Sequence, residues 1–142
     1  MAAVSAAVDA GPLIHGAGNT EAEWARCEWL QGMDGVTLPA LLAGCRRLVV
    51  VAPHPDDEVL GCGGLMWTAR QARMEVTVLS VSDGEACYPW MDAHVLAKTR
   101  RAELLAATAT LGIEANNVHA LGFPDGAVTG SETLLEDAWP RC

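Results

Sequence analysis

Leu48-Val49-Val50-Val51-Ala52 is an unbroken apolar run, β-branched at three of its five positions, and Pro53-His54-Pro55 follows it at once. With no polar residue alternating through it, the run predicts a strand buried on both faces. Pro55 disfavours the helical region for the residue before it, so His54 is expected in extended chain at the strand's exit. Pro55 suits the first turn of a helix, and helical pattern runs from about Asp56 to Arg73. Glu75-Val76-Thr77-Val78-Leu79-Ser80-Val81 reads as a second strand, about Val95 to Leu111 as a second crossover helix closed by Gly112, and Val118-His119-Ala120-Leu121 as a short third strand. A further helix is expected from Ser131. The order β-α-β-α-β predicts an α/β domain: a parallel, Rossmann-like sheet with right-handed crossovers and helices on both faces.

Ligands of such sheets bind beyond the carboxyl ends of the strands. The segments leaving those ends are Pro53 to Glu58, Ser82 to Tyr88 and Gly122 to Gly126. Each carries acids: Asp56, Asp57 and Glu58; Asp83 and Glu85; Asp125. Three acidic loops on one rim, one of them with a histidine, point to a cation site.

Ahead of the first strand the pattern is weaker. Residues 1–45 are expected to form an N-terminal extension with short helices, and residues 46–142 a partial α/β domain. Thr20-Glu21-Ala22-Glu23 reads as a capping box opening a helix to about Leu30, with Trp24, Cys27 and Leu30 as its buried stripe. A second short helix fits Pro39 to Ala43, closed by Gly44.

Composition excludes several classes. Over 142 residues, 9 basic residues face 18 acidic ones, a net charge of −9. That is the reverse of a nucleic-acid-binding surface and disfavours an anionic membrane. No apolar run has the length of a bilayer span, and the N-terminus lacks the basic region of a secretory signal. A cytoplasmic location is the expectation. The five cysteines are odd in number, contain no CxxC, and read as reduced, mostly structural thiols.

The chemistry concentrates in Pro53 to Glu58. His54 and Asp57 lie three apart across the turn and can point the same way, offering an imidazole nitrogen and a carboxylate oxygen to a divalent metal such as zinc. Asp56, between them, could face a metal-bound water, where a general base must stand. The competing reading is structural: Pro-Asp-Asp-Glu is also what a helix N-terminus favours, since carboxylates complement its dipole and cap its free N–H groups. Spacing alone leaves both open. Gly61, Gly63 and Gly64 do not make a dinucleotide site, because they fall inside the helix rather than in the first turn after the strand. They are expected to serve a close helix–sheet or helix–ligand approach.

Ala52-Pro53-His54-Pro55-Asp56-Asp57-Glu58 followed by Gly63-Gly64 closely resembles the motif of the PIG-L / LmbE-like zinc-dependent deacetylases of N-acetylglucosamine-containing substrates. Ser82-Asp83-Gly84-Glu85, Arg100-Arg101-Ala102-Glu103 and Leu121-Gly122-Phe123-Pro124-Asp125-Gly126 agree with that family in kind and order, so the resemblance runs from about Leu48 to Gly126. It implies zinc as cofactor, His54 and Asp57 as its ligands, and Asp56 as the general base. It also implies that Arg100 and Asp125 contact the hydroxyls of a small N-acetylated amino-sugar substrate. From the residues alone, Arg100 is equally a helix-surface charge paired with Glu103 or a neighbouring acid, and Asp125 a turn residue of Pro-Asp-Gly.

The resemblance is incomplete. The family's third zinc ligand comes from a His-x-x-His-like segment well downstream of the Pro-Asp-Gly turn, and only sixteen residues follow Gly126. A truncated family member is therefore expected. Of the other histidines, His94 stands on the correct rim and is a minor candidate for a substitute ligand, His119 reads as a strand residue, and His15 as solvent-exposed. Trp90 sits where sugar stacking is geometrically possible. The leading function is metal-dependent deacetylation. The alternatives are a non-catalytic remnant that binds through the same rim and an α/β nucleotide- or cofactor-binding domain. Oligomeric state is left open.

Overall fold

A computed structural model describes residues 18–128. The chain divides after Thr37. In the first unit, Thr20 caps α1 (Glu21–Ala25): its hydroxyl accepts the Glu23 N–H, and the Glu23 carboxylate accepts the Thr20 N–H. The capping box is as expected, but the helix is not continuous. Cys27 is extended (φ −68°, ψ 104°) and starts α2 (Glu28–Gln31). No residue from 18 to 37 is buried, so Trp24, Cys27 and Leu30 form no buried stripe. Helices this short present too little apolar surface to build a core of their own.

The second unit begins with α3 (Leu38–Leu41) and continues with β1 (Arg47–Ala52), α4 (Asp57–Gln71), β2 (Glu75–Ser82), α5 (Ala93–Thr110), a 3-10 turn at Ala115–Asn117 and β3 (Val118–Phe123). The expected order of strands and helices is met. The last helix expected, from Ser131, lies outside the described residues. The three strands are parallel in the order β1-β2-β3, with Val50 opposite Val78 and Val78 opposite Val118. The β2–β3 register slips between Ser80 and Ser82, beside the rim where ligands are expected.

One core cluster holds the domain together. Val50, Val76 and Val78 from the sheet meet Met66 and Ala69 from α4, Leu104 from α5, and Met74 and Ile113 from the connections. Both crossover helices therefore pack on the same sheet face. The reason is topological: two right-handed crossovers that step the same way across a sheet deliver their helices to one side. Among the described residues no helix covers the opposite face. Val49 and Val51 point there and stay 40% and 46% exposed, so β1 is buried on one face, not on the two that its unbroken apolar run predicts. No helix among the described residues is long and apolar enough to cross a membrane.

The glycines of α4 also depart from expectation. A Cβ at Gly61 or Gly64 would meet nothing within 4 Å, and one at Gly63 only Val59 of the same helix at 3.6 Å. Among the described residues they mediate no close approach of the helix to the sheet.

Candidate active site at the carboxyl edge of the sheet

The three acidic loops do converge, and hydrogen bonds join them. The Ser82 backbone N–H and hydroxyl both donate to the Pro53 carbonyl at 3.0 Å, fastening the first loop to the second. The third loop is held by an exchange. The Asp125 N–H donates to Glu85 Oε1 at 2.9 Å, and the Ala86 N–H donates to Asp125 Oδ2 at 3.1 Å. Arg101 grips Asp83 with Nε at 2.7 Å and Nη2 at 2.5 Å. The hydrogen bond to Asp83 raises the Arg101 guanidinium further above its ordinary value, against the opposing pull of partial burial.

His54 lies at the centre of this rim. Its Nε2 is 3.0 Å from Asp125 Oδ1, and its Nδ1 is 3.4 Å from Asp57 Oδ2. The same Asp57 oxygen accepts the His54 backbone N–H at 3.1 Å. The His54–Asp57 turn thus brings the two groups together as the spacing predicts. With its proton on Nε2 and donated to Asp125, the imidazole presents the Nδ1 lone pair on the Asp57 side. Metal-binding histidines are commonly oriented by a carboxylate in this way. These donors suit zinc in kind but fall short in number. Among the described residues no group of three His, Cys, Asp or Glu side chains is placed to hold a metal, whereas a catalytic zinc ordinarily takes three protein ligands.

Asp56 precedes α4 with a left-handed φ of 104° and makes no side-chain capping bond. Its carboxylate is 62% exposed and meets Arg100 Nη2 at 3.2 Å. Arg100 also donates from Nη2 to the Pro55 carbonyl at 2.7 Å and from Nη1 to the Gly84 carbonyl at 3.2 Å. Its partners come from two rim loops rather than from Glu103 on its own helix. Gly84 suits the position: its φ of +64° strains any other residue, and a Cβ there would displace the Arg100 guanidinium. Asp125, expected to contact substrate, has a side chain only 12% exposed and already meets His54 and Ala86.

A cleft opens beside these groups, lined on its polar side by His54, Asp56, Arg100 and Asp125 and on its apolar side by Tyr88 and Met91. Trp90 stacks at a tilt on Tyr88, ring centres 5.3 Å apart, but does not line the cleft. His94 lines a separate depression with Asp83, Lys98 and Arg101 and is not on the His54 cleft. His119 is an exposed residue of β3, and His15 lies outside the described residues. The sequence reading missed Glu58, which is buried and accepts the Asp56 N–H, and Glu85, which holds Asp125. Both stand in acidic loops whose residues look interchangeable until the fold buries some of them.

Fold and rim together define a parallel α/β domain with a histidine–carboxylate site at the strand ends. Residues 49–139 match the model of the PIG-L family, GlcNAc-PI de-N-acetylase, and the chain belongs to that family. Three solved structures are similar. N,N'-diacetylchitobiose deacetylase from Pyrococcus horikoshii has 24% identity and a TM-score of 0.63, over 84% of this chain and 44% of that one. GalB, the 4-carboxy-2-hydroxymuconate hydratase from Pseudomonas putida, has 24% identity and a TM-score of 0.52, over 58% of this chain and 36% of that one. The conserved protein TT1542 from Thermus thermophilus has 36% identity and a TM-score of 0.47, over 57% of this chain and 34% of that one. The chain thus spans less than half the length of each of these three structures.

Proposed function

We propose that this chain carries the catalytic edge of a metal-dependent deacetylase acting on a small N-acetylglucosamine-type amide. The observation behind the proposal is the His54–Asp57–Asp125 contact set with Asp56 beside it on the cleft, within a domain of the PIG-L family. His54 and Asp57 would hold the metal, zinc by donor chemistry, with further donors from outside the described residues. When bound, such an ion supplies Lewis acidity toward the acyl carbonyl and acidifies water.

The chain's own residues account for the remaining tasks. Asp125 fixes the ring plane of His54 through Nε2. Asp56 presents an exposed carboxylate to the cleft. There it accepts the proton of the attacking water at Oδ1, the oxygen that does not meet Arg100, and returns it to the departing amine nitrogen. Arg100 and Asp125 line the same cleft and would meet the sugar hydroxyls with the capacity that their loop partners leave free. The similarity to a hydratase argues that fold alone does not select the reaction.

The test is acetate release from N,N'-diacetylchitobiose and from N-acetylglucosamine conjugates, by the zinc-loaded chain. Asp56→Ala is expected to lower turnover by about 10²–10⁴-fold while zinc content stays unchanged. Zinc lost together with activity would make Asp56 a ligand and sink its assignment as base. A second reading, a non-catalytic remnant that binds through the same rim, is favoured by the short donor count among the described residues. It predicts no turnover and the same ligand affinity in Asp56→Ala.

A further inference from the structure

The peptide unit joining Pro55 to Asp56 is held at both ends. Its carbonyl accepts from Arg100 Nη2 at 2.7 Å, and its N–H donates to Glu58 Oε2 at 3.0 Å. The two partners come from different helices, Arg100 from α5 and Glu58 from the first turn of α4. The clamped unit is the one whose orientation sets the φ of Asp56, and that angle, 104°, is a left-handed value that L side chains rarely adopt. Turning the unit over, by coupled rotation about ψ of Pro55 and φ of Asp56, would relax the backbone. It would also swing the carbonyl away from Arg100 and the N–H away from Glu58.

Glu58 is an expensive residue for this position. It is 1% exposed, and its Oε1 is buried with no hydrogen-bond partner among the described residues. A carboxylate buried with a single N–H donor among the described residues is poorly compensated for the water it has lost. An apolar side chain of similar volume would not carry that desolvation cost, although it would leave the strained Asp56 N–H without its acceptor. Among the described residues its carboxylate makes one hydrogen bond, to the backbone N–H whose orientation decides where the Asp56 carboxylate points.

We infer that Glu58 is a positioning residue that acts with Arg100 to hold the strained Pro55–Asp56 peptide, so that the Asp56 carboxylate faces the cleft. The backbone part of this stands on geometry alone. Its catalytic consequence rests on the deacetylase reading above.

A double-mutant cycle on the full chain separates the two. Glu58→Met removes the acceptor and keeps apolar bulk, and Asp56→Gly removes the backbone strain, because glycine adopts positive φ freely. The expected result is that Glu58→Met lowers Tm in the Asp56 background and lowers it by less than about half as much in the Asp56→Gly background, since interacting sites are not additive. Equal losses in both backgrounds would mean that Glu58 only packs, and would overturn the inference. Folding of the double variant where Glu58→Met alone does not fold is the same coupling in extreme form and supports it. Amide exchange of the unsubstituted chain needs no variant: the Asp56 N–H should be protected although its side chain is exposed, and free exchange would overturn the clamp. If the chain deacetylates, Glu58→Met should cut kcat by about 10²-fold with KM nearly unchanged, and Glu58→Gln, which keeps an acceptor oxygen, should recover most of the loss. Unchanged kcat in Glu58→Met would overturn the inference. An inactive parent chain would count against the deacetylase reading, while the Tm cycle would still decide the clamp.

Discussion

Side chains at the rim are bound to one another across loops. Asp125 shows this most clearly, with one carboxylate oxygen on His54 and the other on the Ala86 N–H. Its position in Pro-Asp-Gly makes it look like a turn residue, and its backbone does turn there, but its side chain reaches back across the sheet edge. Asp125→Ala is expected to weaken zinc binding by about 10–100-fold, the usual cost of removing the carboxylate behind a ligating histidine. Competition with a chromophoric chelator measures this, and an unchanged affinity would uncouple Asp125 from metal binding. Asp56, Asp57 and Glu58 carry a similar lesson. They are adjacent acids with three different surroundings: exposed beside Arg100, folded back on His54, and buried beneath the Asp56 N–H. Composition cannot separate them, because burial and partner are set by the direction in which each side chain leaves the first turn of α4.

At the scale of elements, the strands and crossover helices were legible because their signals are local. β-branched runs favour strands, and Gly112 ends α5 with a φ of +75°, as its position predicts. The helix pattern of α4 is weak in sequence, with three glycines among its fifteen residues. Its hold on the sheet comes from a few side chains, of which Met66 is fully buried against Val50, Val76 and Val78. Met66→Ala is therefore expected to cost about 2–5 kcal/mol of stability, read as a lowered denaturant midpoint at constant m-value. A loss well under that range would mean that α4 is held by other contacts. The N-terminal segment shows the opposite case. Its capping box formed as read, yet extended Cys27 divides the expected helix, because a cap fixes where a helix begins and says nothing about how far packing will carry it.

For the whole molecule, the decisive quantity is the number of metal donors. Two converge at His54 and Asp57, and the described residues offer no third. If further donors come from the rest of the chain or from a second copy, the full chain should hold one zinc equivalent tightly and His54→Ala should lose it, as equilibrium dialysis with metal analysis would show. Weak binding in the parent chain, unchanged in His54→Ala, would favour the remnant reading. Topology matters at this scale too. Successive same-direction crossovers leave Val49 and Val51 on a face that the described helices do not cover, although a strand with that sequence reads as doubly buried.

What the amino-acid order determined by itself was the α/β class, the parallel sheet, the edge of the sheet where acids gather, and the His54–Asp57 turn. These follow from hydrophobic period, chain direction and proline stereochemistry, all of which act over a few residues. Tertiary structure alone decided which sheet face the helices cover, that Arg100 serves Pro55 and Asp56 rather than Glu103, that Asp125 backs His54, and that Glu58 is buried against a strained peptide. Each of those facts depends on groups far apart in the chain, or on which side of a turn is closed off from water, and neither is encoded in any local pattern.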